Sequence, residues 1–467
     1  MEIYKVDFKE EVPKYIQVAN KIKFLIDKGL IKDGEKMPTI RALAKFLGVN
    51  NDTIVSTYKK LEAEGYASSK MGSGTYAKKR EINKRFKKEY SDTFKKISGL
   101  KLKQYIDFAG ESSSTELFPI NSFKEVINEV IDRDGTDALI FQEALGFEGL
   151  RKSISRFFWQ DKVAIDDIII VSGAQQGIDI ASKALLNIND NVIIEKPTYS
   201  GALSVFTFRG SNIFEIDMDN DGINIQEFEN VLKKSYIKCF YTMSYFQNPT
   251  GISYSLEKKK KILKLAKEYD FYIIEDDYLS ELIYSQNIQY QSFKSLDKYN
   301  RVIYIKSFSK IFLPGIRLGY LIAPKNIKDQ IENSKVNTDI STSSLMQRAL
   351  DLYIIKGYWR EYINQLKNEY FIRYTLMEDL IKNILGDKVS FISPGGGLNF
   401  YLKINEKIKI KSDLLFKKCK NEKVLITPGV MFYKKYDDGL DFFRIGYSQT
   451  DQYKIKKGLE VIDKILK

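Results

Sequence analysis

Lys310 and Arg317 are the two side chains whose type and spacing first suggest covalent chemistry. Both follow a short apolar run, Val302 to Ile305, with Ser307 and Ser309 between that run and the lysine. A lysine amine at the end of a strand can form a Schiff base with an aldehyde, and a nearby guanidinium can clamp a phosphate. Taken alone, each is more often a surface lysine or an ion-pair partner, so the hypothesis depends on further groups.

Further candidate groups follow three other apolar runs. They are Tyr199 after Val192 to Ile194, Asn248 after Cys239 to Met243, and Asp276, Asp277 and Tyr278 after Phe271 to Ile274. A tyrosine ring can stack on a planar ring, and an amide and a phenol can donate to a phenolate oxygen. Either aspartate can pair with a cationic ring nitrogen.

A glycine-containing turn supplies a candidate anion cradle. The segment Ser172-Gly173-Ala174-Gln175-Gln176-Gly177 follows Ile168 to Val171 and opens a helix, whose first N–H groups can meet a phosphate. Alone, such a turn is weak evidence. Together, a cradle, a stacking ring, a phenolate pair, a carboxylate and an amine describe pyridoxal phosphate.

These groups need a scaffold that brings strand ends together. From about residue 104 to residue 467, β-rich runs alternate with helical stretches; the clearest strands are Ile168 to Ser172, Val192 to Glu195, Cys239 to Met243, Phe271 to Glu275 and Val302 to Ile305. That alternation predicts a mainly parallel α/β sheet wrapped by helices. Ligands of such sheets bind at the carboxyl ends of the strands, where all the candidate groups lie.

The composition excludes several classes of protein. The 467 residues predict two or three domains, and 43% hydrophobic with 29% charged residues is a globular balance. With no histidine, imidazole catalysis, Ser/His/Asp triads and histidine metal sites are excluded; with only Cys239 and Cys419, no CxxC metal site or disulfide framework can be read. We expect no metal, no membrane span and a cytoplasmic protein.

The basic excess lies at one end of the chain. The net charge is +13, and residues 78 to 103 alone hold 11 basic and 3 acidic side chains. Such asymmetry favours a polyanionic partner near the N-terminus, although a solvated lysine-rich linker explains the charge equally well.

Residues 12 to 77 have the pattern of a winged helix. A first helix runs through Tyr15 to Ile26, a second from Thr39 to Leu47, and a third begins at Asn50 after a short turn. Two short strands then flank a basic, glycine-rich tip, Lys70 to Gly74. A helix fits the major groove of DNA and such a wing can approach the backbone, so we favour double-stranded DNA over a helical bundle with no ligand.

This section resembles the GntR family of DNA-binding domains. The resemblance rests on Met37 to Ala44, Leu47 to Ile54, Leu61 to Gly65 and Gly72 to Thr75. It implies DNA contacts from the second helix, the start of the third helix and the wing, at Arg41, Asn50, Asn51, Thr53, Gly72 and Gly74. The family often has arginine where Asn51 stands, so the operator sequence cannot be carried over.

From roughly Asp107 onward the sequence looks like the fold-type I aminotransferases. The order of the two sections, first GntR-like and then aminotransferase-like, resembles the MocR/GabR-type regulators. The resemblance implies that Lys310 holds pyridoxal phosphate as an internal aldimine and that Asp276 pairs with the pyridine nitrogen. It implies that Tyr199, Asn248 and Tyr278 contact the cofactor ring. It implies that the phosphate is bound by Ala174, Gln175, Ser307, Ser309 and Arg317, and that Arg444 binds the carboxylate of the substrate or effector. It also implies a small C-terminal α/β subdomain and a homodimer.

Two departures bear on activity and effector. Phe141 stands where the family usually has a tyrosine that reaches a phosphate, and Gly201 stands where some regulators carry an arginine for the effector. Phe141 predicts weaker cofactor affinity or weaker turnover, and Gly201 predicts an effector that is not held by two arginines.

The domain boundaries follow from these sections. We expect a winged-helix DNA-binding domain over residues 1–77, a basic linker over 78–104 that is extended or partly helical, and an aminotransferase-like domain over 105–467. The leading hypothesis is a transcriptional regulator that senses a small amino compound by aldimine exchange at Lys310. The alternative is an active aminotransferase with an appended DNA-binding domain.

Overall fold

The computed structural model describes residues 1–27, 30–32, 34–70, 73–78, 82–97, 99–140, 143–339 and 341–467. The chain divides into two compact units, Met1–Phe94 and Lys95–Lys467. Across the described ranges, no helix combines the length and the apolar character that a membrane span requires.

The first unit has the predicted winged helix-turn-helix order: α1 (Lys14–Asp27), α2 (Ile40–Leu47), α3 (Asn51–Ala63), β1 (Ala67–Lys70) and β2 (Gly74–Ala77). Local sequence sets the helix bounds. Thr39 Oγ1 accepts the backbone N–H of Ala42 at 3.3 Å, and Asn50 Oδ1 accepts that of Thr53 at 2.8 Å, so both side chains are N-caps. Gly48 ends α2 in the left-handed conformation at a φ of 63°, which glycine adopts without steric cost.

Backbone hydrogen bonds tie the wing to the extended segment before α2. β1 and β2 pair antiparallel, with Lys70 opposite Gly74. The Met37 N–H donates to the Thr75 carbonyl at 2.9 Å, which adds a third extended segment beside β2. Ile22, Leu43, Ile54 and Leu61 are fully buried between the helices, so the apolar spacing read from the sequence does form this core.

In the described part of the predicted linker lies the α-helix α4 (Ile82–Ile97), followed by a 3-10 helix (Gly99–Gln104). The sequence of α4 is rich in lysine and arginine, with Lys95 and Lys96 in the last turn, where positive charge favours the helix. The segment is therefore mainly helical over its middle.

The second unit is an α/β domain. Its elements are β3 (Ile106–Asp107), α5 (Ile120–Asp134), α6 (Glu148–Trp159), β4 (Ile168–Val171), α7 (Ala174–Leu185), β5 (Asn191–Lys196), α8 (Ser200–Phe208), β6 (Asn212–Asp219), β7 (Gly222–Ile223), α9 (Ile225–Lys234), β8 (Cys239–Thr242), α10 (Leu256–Glu268), β9 (Tyr272–Asp277), α11 (Phe293–Leu296), β10 (Val302–Ser307), β11 (Gly319–Ile322), α12 (Lys328–Val336), α13 (Ser344–Ile355), α14 (Tyr358–Leu380), β12 (Val389–Ser390), β13 (Asn399–Ile404), α15 (Ser412–Asn421), β14 (Val424–Leu425), β15 (Thr427–Pro428), β16 (Phe442–Gly446) and α16 (Gln452–Ile465).

The large sheet has the order β4-β11-β10-β9-β8-β5-β6-β7 and contains all five predicted strands. Neighbours from β10 to β6 run parallel, whereas β11 runs antiparallel to both β10 and β4. All four residues of β4 and all six of β10 are buried, as expected for strands covered on both faces. The mainly parallel fold class is thus confirmed, with β11 as an antiparallel insertion.

A smaller sheet, β12-β13-β16-β15, is antiparallel throughout and forms the C-terminal subdomain. The start of the second unit is fixed to it. β3 pairs with β14, and the N–H of Gly446 donates to the Phe108 carbonyl at 2.7 Å. Residues 106 to 111 therefore lie beside β16, the strand that carries Arg444.

Candidate functional site

The candidate cofactor groups come from the carboxyl ends of neighbouring strands. Asp276 is near the end of β9, Lys310 follows β10, Asn248 follows β8, and Tyr199 follows β5. Because these strands are parallel, their ends meet at one edge of the sheet. Electrostatics supports this convergence, since the charge of Asp276 acts on the pKa values of Tyr199, Tyr278 and Lys310.

Asp276 is a buried carboxyl group with one open oxygen. Its Oδ2 accepts the hydroxyl of Tyr241 at 2.9 Å. Its Oδ1 is buried and has no hydrogen-bond partner in the portion of the chain that the structure describes. Burial raises the pKa of Asp276 to about 7, with Asp277 adding to the rise and the Tyr241 bond opposing it. An open buried acceptor of this kind suits a cationic N–H donor.

Asp277, the alternative left open by the sequence, is already satisfied. Its carboxylate pairs with Lys306 Nζ at 3.1 Å and accepts the hydroxyls of Tyr290 and Tyr304 at 2.7 and 2.9 Å. The charge of Lys306 keeps the pKa of Asp277 below its usual range despite burial. The structure therefore favours Asp276 as the partner of a ring nitrogen.

Lys310 is the amine expected to react with an aldehyde. Burial lowers the pKa of Lys310 to about 8, and the positive charge of Arg317 acts in the same direction while Asp276 opposes it. Lys310 Nζ also lies 2.7 Å from Glu111 Oε2, an ion pair that favours the ammonium form. Burial thus makes the nucleophilic neutral amine more accessible than in an exposed lysine, while Glu111 acts against this effect.

The predicted phosphate ligands form one connected group. Arg317 Nη1 donates to Ser309 Oγ at 3.4 Å, and Nη2 donates to the Ser172 carbonyl at 2.9 Å. Ser307 Oγ accepts the N–H of Ser309 at 3.2 Å. Gly173 caps α7 with a φ of 89°, and a Cβ there would lie 3.1 Å from Arg317 Nη2, so glycine keeps the space beside the guanidinium. Ala174 and Gln175 are the first two residues of α7, where N–H groups lack acceptors within the helix.

Tyr199 lies over this cradle. Its hydroxyl donates to Gln175 Oε1 at 3.3 Å, and burial together with the charge of Asp276 raises the pKa of Tyr199 to about 12. A Cβ on Gly201 would come within 2.4 Å of the Tyr199 ring and 2.3 Å of Gln175 Oε1. Position 201 therefore cannot take an arginine with Tyr199 where it stands.

Asn248 and Tyr278 are buried, and each has a partner. The Tyr278 hydroxyl donates to the Phe246 carbonyl at 2.8 Å. Asn248 Nδ2 donates to Glu111 Oε1 at 2.9 Å, and its Oδ1 accepts Arg444 Nη1 at 2.6 Å. The assignment of both residues to a ring oxygen stays a prediction, and it requires these donors to turn.

Arg444 is a buried guanidinium, 3% exposed. Its Nη2 donates to the Ala109 carbonyl and to Thr427 Oγ1, each at 3.2 Å, and it lies over the Phe432 ring at 5.0 Å. It also forms an ion pair with Glu111.

Three contributors were missed in the sequence. Glu111 joins Lys310, Asn248 and Arg444, and Tyr241 holds Asp276. The third, Glu195, is fully buried and accepts Gln247 Nε2 at 3.0 Å and the hydroxyls of Thr242 and Tyr254 at 2.6 and 2.8 Å. Burial raises the pKa of Glu195 to about 7, and its bonds fix the loop that leads to Asn248.

The predicted DNA contacts lie on the first unit. Arg41 and Asn51 are exposed near the starts of α2 and α3, and Gly74 is exposed in the wing with a φ of 114°. Asn50 Oδ1 is engaged in capping Thr53, which leaves its amide N–H groups for a ligand. Gly72 and Phe141 lie outside the described residues.

Comparison with known proteins identifies the second unit. The family model for aminotransferase class I and II matches residues 112–462. The chain belongs to this family. The model for bacterial regulatory proteins of the gntR family matches residues 14–77, so this aminotransferase-family chain has the MocR/GabR-type architecture.

Relatives share both halves. The chain is 27% identical over 476 residues to the HTH-type transcriptional regulator YdfD of Bacillus subtilis, covering 98% of this chain and 97% of that one. It is 23% identical over 472 residues to the probable rhizopine catabolism regulatory protein MocR of Rhizobium meliloti, covering 97% and 94%.

Kynurenine aminotransferase of Pyrococcus horikoshii, solved with PMP, matches with a TM-score of 0.75 and 29% identity over 81% of this chain and 95% of that one.

The cofactor of this family member is pyridoxal phosphate. The residues present fit it, because Asp276 has an open buried oxygen and Gly173 leaves room beside Arg317. Asp276 would hold the ring nitrogen, Lys310 the aldehyde carbon, and Arg317, Ser309 and the start of α7 the phosphate. When bound, the cofactor supplies an aldehyde that condenses with amines and a ring that withdraws electrons.

Proposed function

We propose that this chain is a pyridoxal phosphate-dependent transcriptional regulator that binds double-stranded DNA through residues 1–77 and senses a small amino compound at Lys310. The observation that carries the proposal is the open buried oxygen of Asp276, whose charge acts on Lys310, in a chain that also has a GntR winged helix. Arg41, Asn50, Asn51, Thr53, Gly72 and Gly74 are the proposed DNA contacts.

Sensing would work by exchange at Lys310. Lys310 Nζ would hold the aldehyde carbon of the cofactor, a ligand amine would take its place there, and the two protons of the neutral ligand amine would pass to Nζ. Burial lowers the pKa of the free Lys310 amine, which favours its neutral form once it is released. The ligand changes DNA binding only if it binds one arrangement of the protein better than another.

From the resemblance to the MocR/GabR-type regulators we also propose a homodimer, and a basic linker over residues 78–104, which contains α4, between domains over 1–77 and 105–467. Because such a regulator acts on chromosomal DNA, we place it in the cytoplasm. Sedimentation of the cofactor-loaded protein measures its oligomeric state, and a monomer at micromolar concentration would contradict the dimer.

A mobility shift on the gene's own upstream region tests the main proposal. We expect specific binding by the loaded protein and a changed affinity when an amine panel is added. Absence of any specific site, or binding that no amine alters, would contradict it.

A second candidate function is amino-group transfer. Lys310, Asp276 and Arg444 are the groups it needs, and all three belong to the second unit. Steady turnover of an amino acid with a keto acid at ordinary enzyme rates would favour the enzyme, whereas a single half-reaction or none favours the sensor.

A further inference from the structure

Glu111 places a carboxylate between the amine and the guanidinium of the site. Its Oε2 lies 2.7 Å from Lys310 Nζ, and its Oε1 contacts Arg444 Nη1 and accepts Asn248 Nδ2 at 2.9 Å. An α-amino acid carries an amine and a carboxylate on one carbon and would bring its carboxylate to Arg444. Glu111 therefore already supplies the negative charge that such a ligand would bring.

Arg444 has little capacity left for a second carboxylate. Its guanidinium also donates to Asn248 Oδ1 at 2.6 Å, the Ala109 carbonyl at 3.2 Å and Thr427 Oγ1 at 3.2 Å. Both partners of the ion pair are largely buried, since the side chains of Arg444 and Glu111 are 4% and 11% exposed. Separating such a pair leaves an uncompensated buried charge, which is strongly unfavourable.

Asp107 is a second acidic group on which the charge of Arg444 acts. Asp107 accepts the N–H groups of Ala109 and Gly110, each at 2.9 Å, and the charge of Arg444 opposes the rise that burial causes in the pKa of Asp107. An incoming carboxylate would therefore displace Glu111 and then face both Glu111 and Asp107. Like charges repel each other strongly where solvent is largely excluded.

We propose that Glu111 is a specificity-determining residue that takes the place of the ligand carboxylate, so that the site selects primary amines without an α-carboxylate over the corresponding amino acids. This inference rests on the proposed function, because it concerns the ligand that reacts at Lys310. Segment 106 to 111 is anchored to the C-terminal subdomain by the pairing of Ile106 with Val424 and by the hydrogen bond from the Gly446 N–H to the Phe108 carbonyl, so the chain leading to Glu111 is placed without the ligand.

Matched ligand pairs test the inference. Tyramine against tyrosine, and cadaverine against lysine, differ only in the α-carboxylate; their affinities for the cofactor-loaded full chain can be measured by calorimetry and by the absorbance change. We expect each amine to bind at least about tenfold more tightly than its amino acid, because like charges repel each other strongly where solvent is excluded.

Two variants locate the effect. Glu111→Gln should raise amino-acid affinity at least about tenfold and remove the preference for amines. Glu116→Gln removes an exposed acid a few residues further along the chain and should leave the wild-type preference unchanged. Glu111→Asp, shorter by one methylene, provides a second test if Glu111→Gln does not fold, and it should lower the preference.

The outcomes distinguish a failure of the role of Glu111 from a failure of the proposed function. Wild-type protein that takes up cofactor and binds DNA but prefers amino acids overturns the role of Glu111 alone. An unchanged preference in both folded Glu111 variants also overturns it. Wild-type protein that takes up no cofactor overturns the proposed function, and this inference with it.

Discussion

Asp276→Asn in the cofactor-free protein should remove a specific dependence of stability on pH. In the unfolded chain this carboxyl ionises at its usual pKa of 3.8, whereas burial raises the folded pKa to about 7. The folded protein therefore keeps a proton that the unfolded chain releases. The stability that Asp276 contributes is fully present below about pH 4 and is lost as the pH rises to about 7.

The size of this effect follows from the two pKa values. A tenfold change in proton affinity corresponds to about 1.4 kcal/mol, so the rise to about 7 corresponds to about 4 kcal/mol across that window. Asp276 is 2% exposed, so solvent screens little of this energy. Glu195 and Glu275 are also buried with raised pKa values, but they are present in both proteins and cancel in the comparison.

Denaturant unfolding at several pH values between 4 and 8 measures the effect. Relative to Asp276→Asn, the wild type should lose about 4 kcal/mol of unfolding free energy as the pH rises to about 7, and then stay level. Asp161→Asn, at an exposed position with a φ of 58°, is the matched control and should follow the wild type. If the unfolding free energies of the wild type and Asp276→Asn change in parallel with pH, the pKa of Asp276 is not raised by burial.

Three further predictions concern DNA and phosphate. Arg41→Ala and Asn51→Ala should each weaken operator binding in a mobility shift while leaving cofactor absorbance unchanged; a loss of absorbance would contradict independent sites. DNA affinity should fall by about 0.9 log units per log unit of salt for each phosphate contacted, and salt-independent binding would contradict a basic head. Gly173→Ala places a Cβ 3.1 Å from Arg317 Nη2 and should weaken cofactor binding about tenfold in equilibrium dialysis, whereas unaltered affinity would contradict the phosphate cradle.

Local sequence signals predicted much of the fold. The N-cap at Asn50 and the buried apolar strands were readable because each depends on neighbouring residues, whereas Thr39, expected as the first residue of its helix, is the N-cap. β11 was not among the predicted strands, and its antiparallel direction depends on a chain reversal after Arg317 that no periodicity reveals. The helix α4 had a readable signal, apolar residues at positions 82, 86, 90, 94 and 97, which the high lysine content obscured.

The site was only partly predictable. The sequence offered Asp276 and Asp277 together, and the choice depends on Lys306, Tyr290 and Tyr304, which occupy Asp277 in the fold. Glu111 was missed because its partners are far away along the chain, and only the pairing of β3 with β14 brings them near.

The central claim is that Lys310 binds the cofactor, and borohydride reduction of the loaded protein followed by peptide mass analysis tests it most directly. Borohydride fixes a carbon–nitrogen double bond as a stable single bond, so the reduced cofactor should be found on the peptide that contains Lys310. Lys310→Ala should carry none while its first unit still binds DNA. Cofactor fixed at another lysine, or at none, would contradict the account.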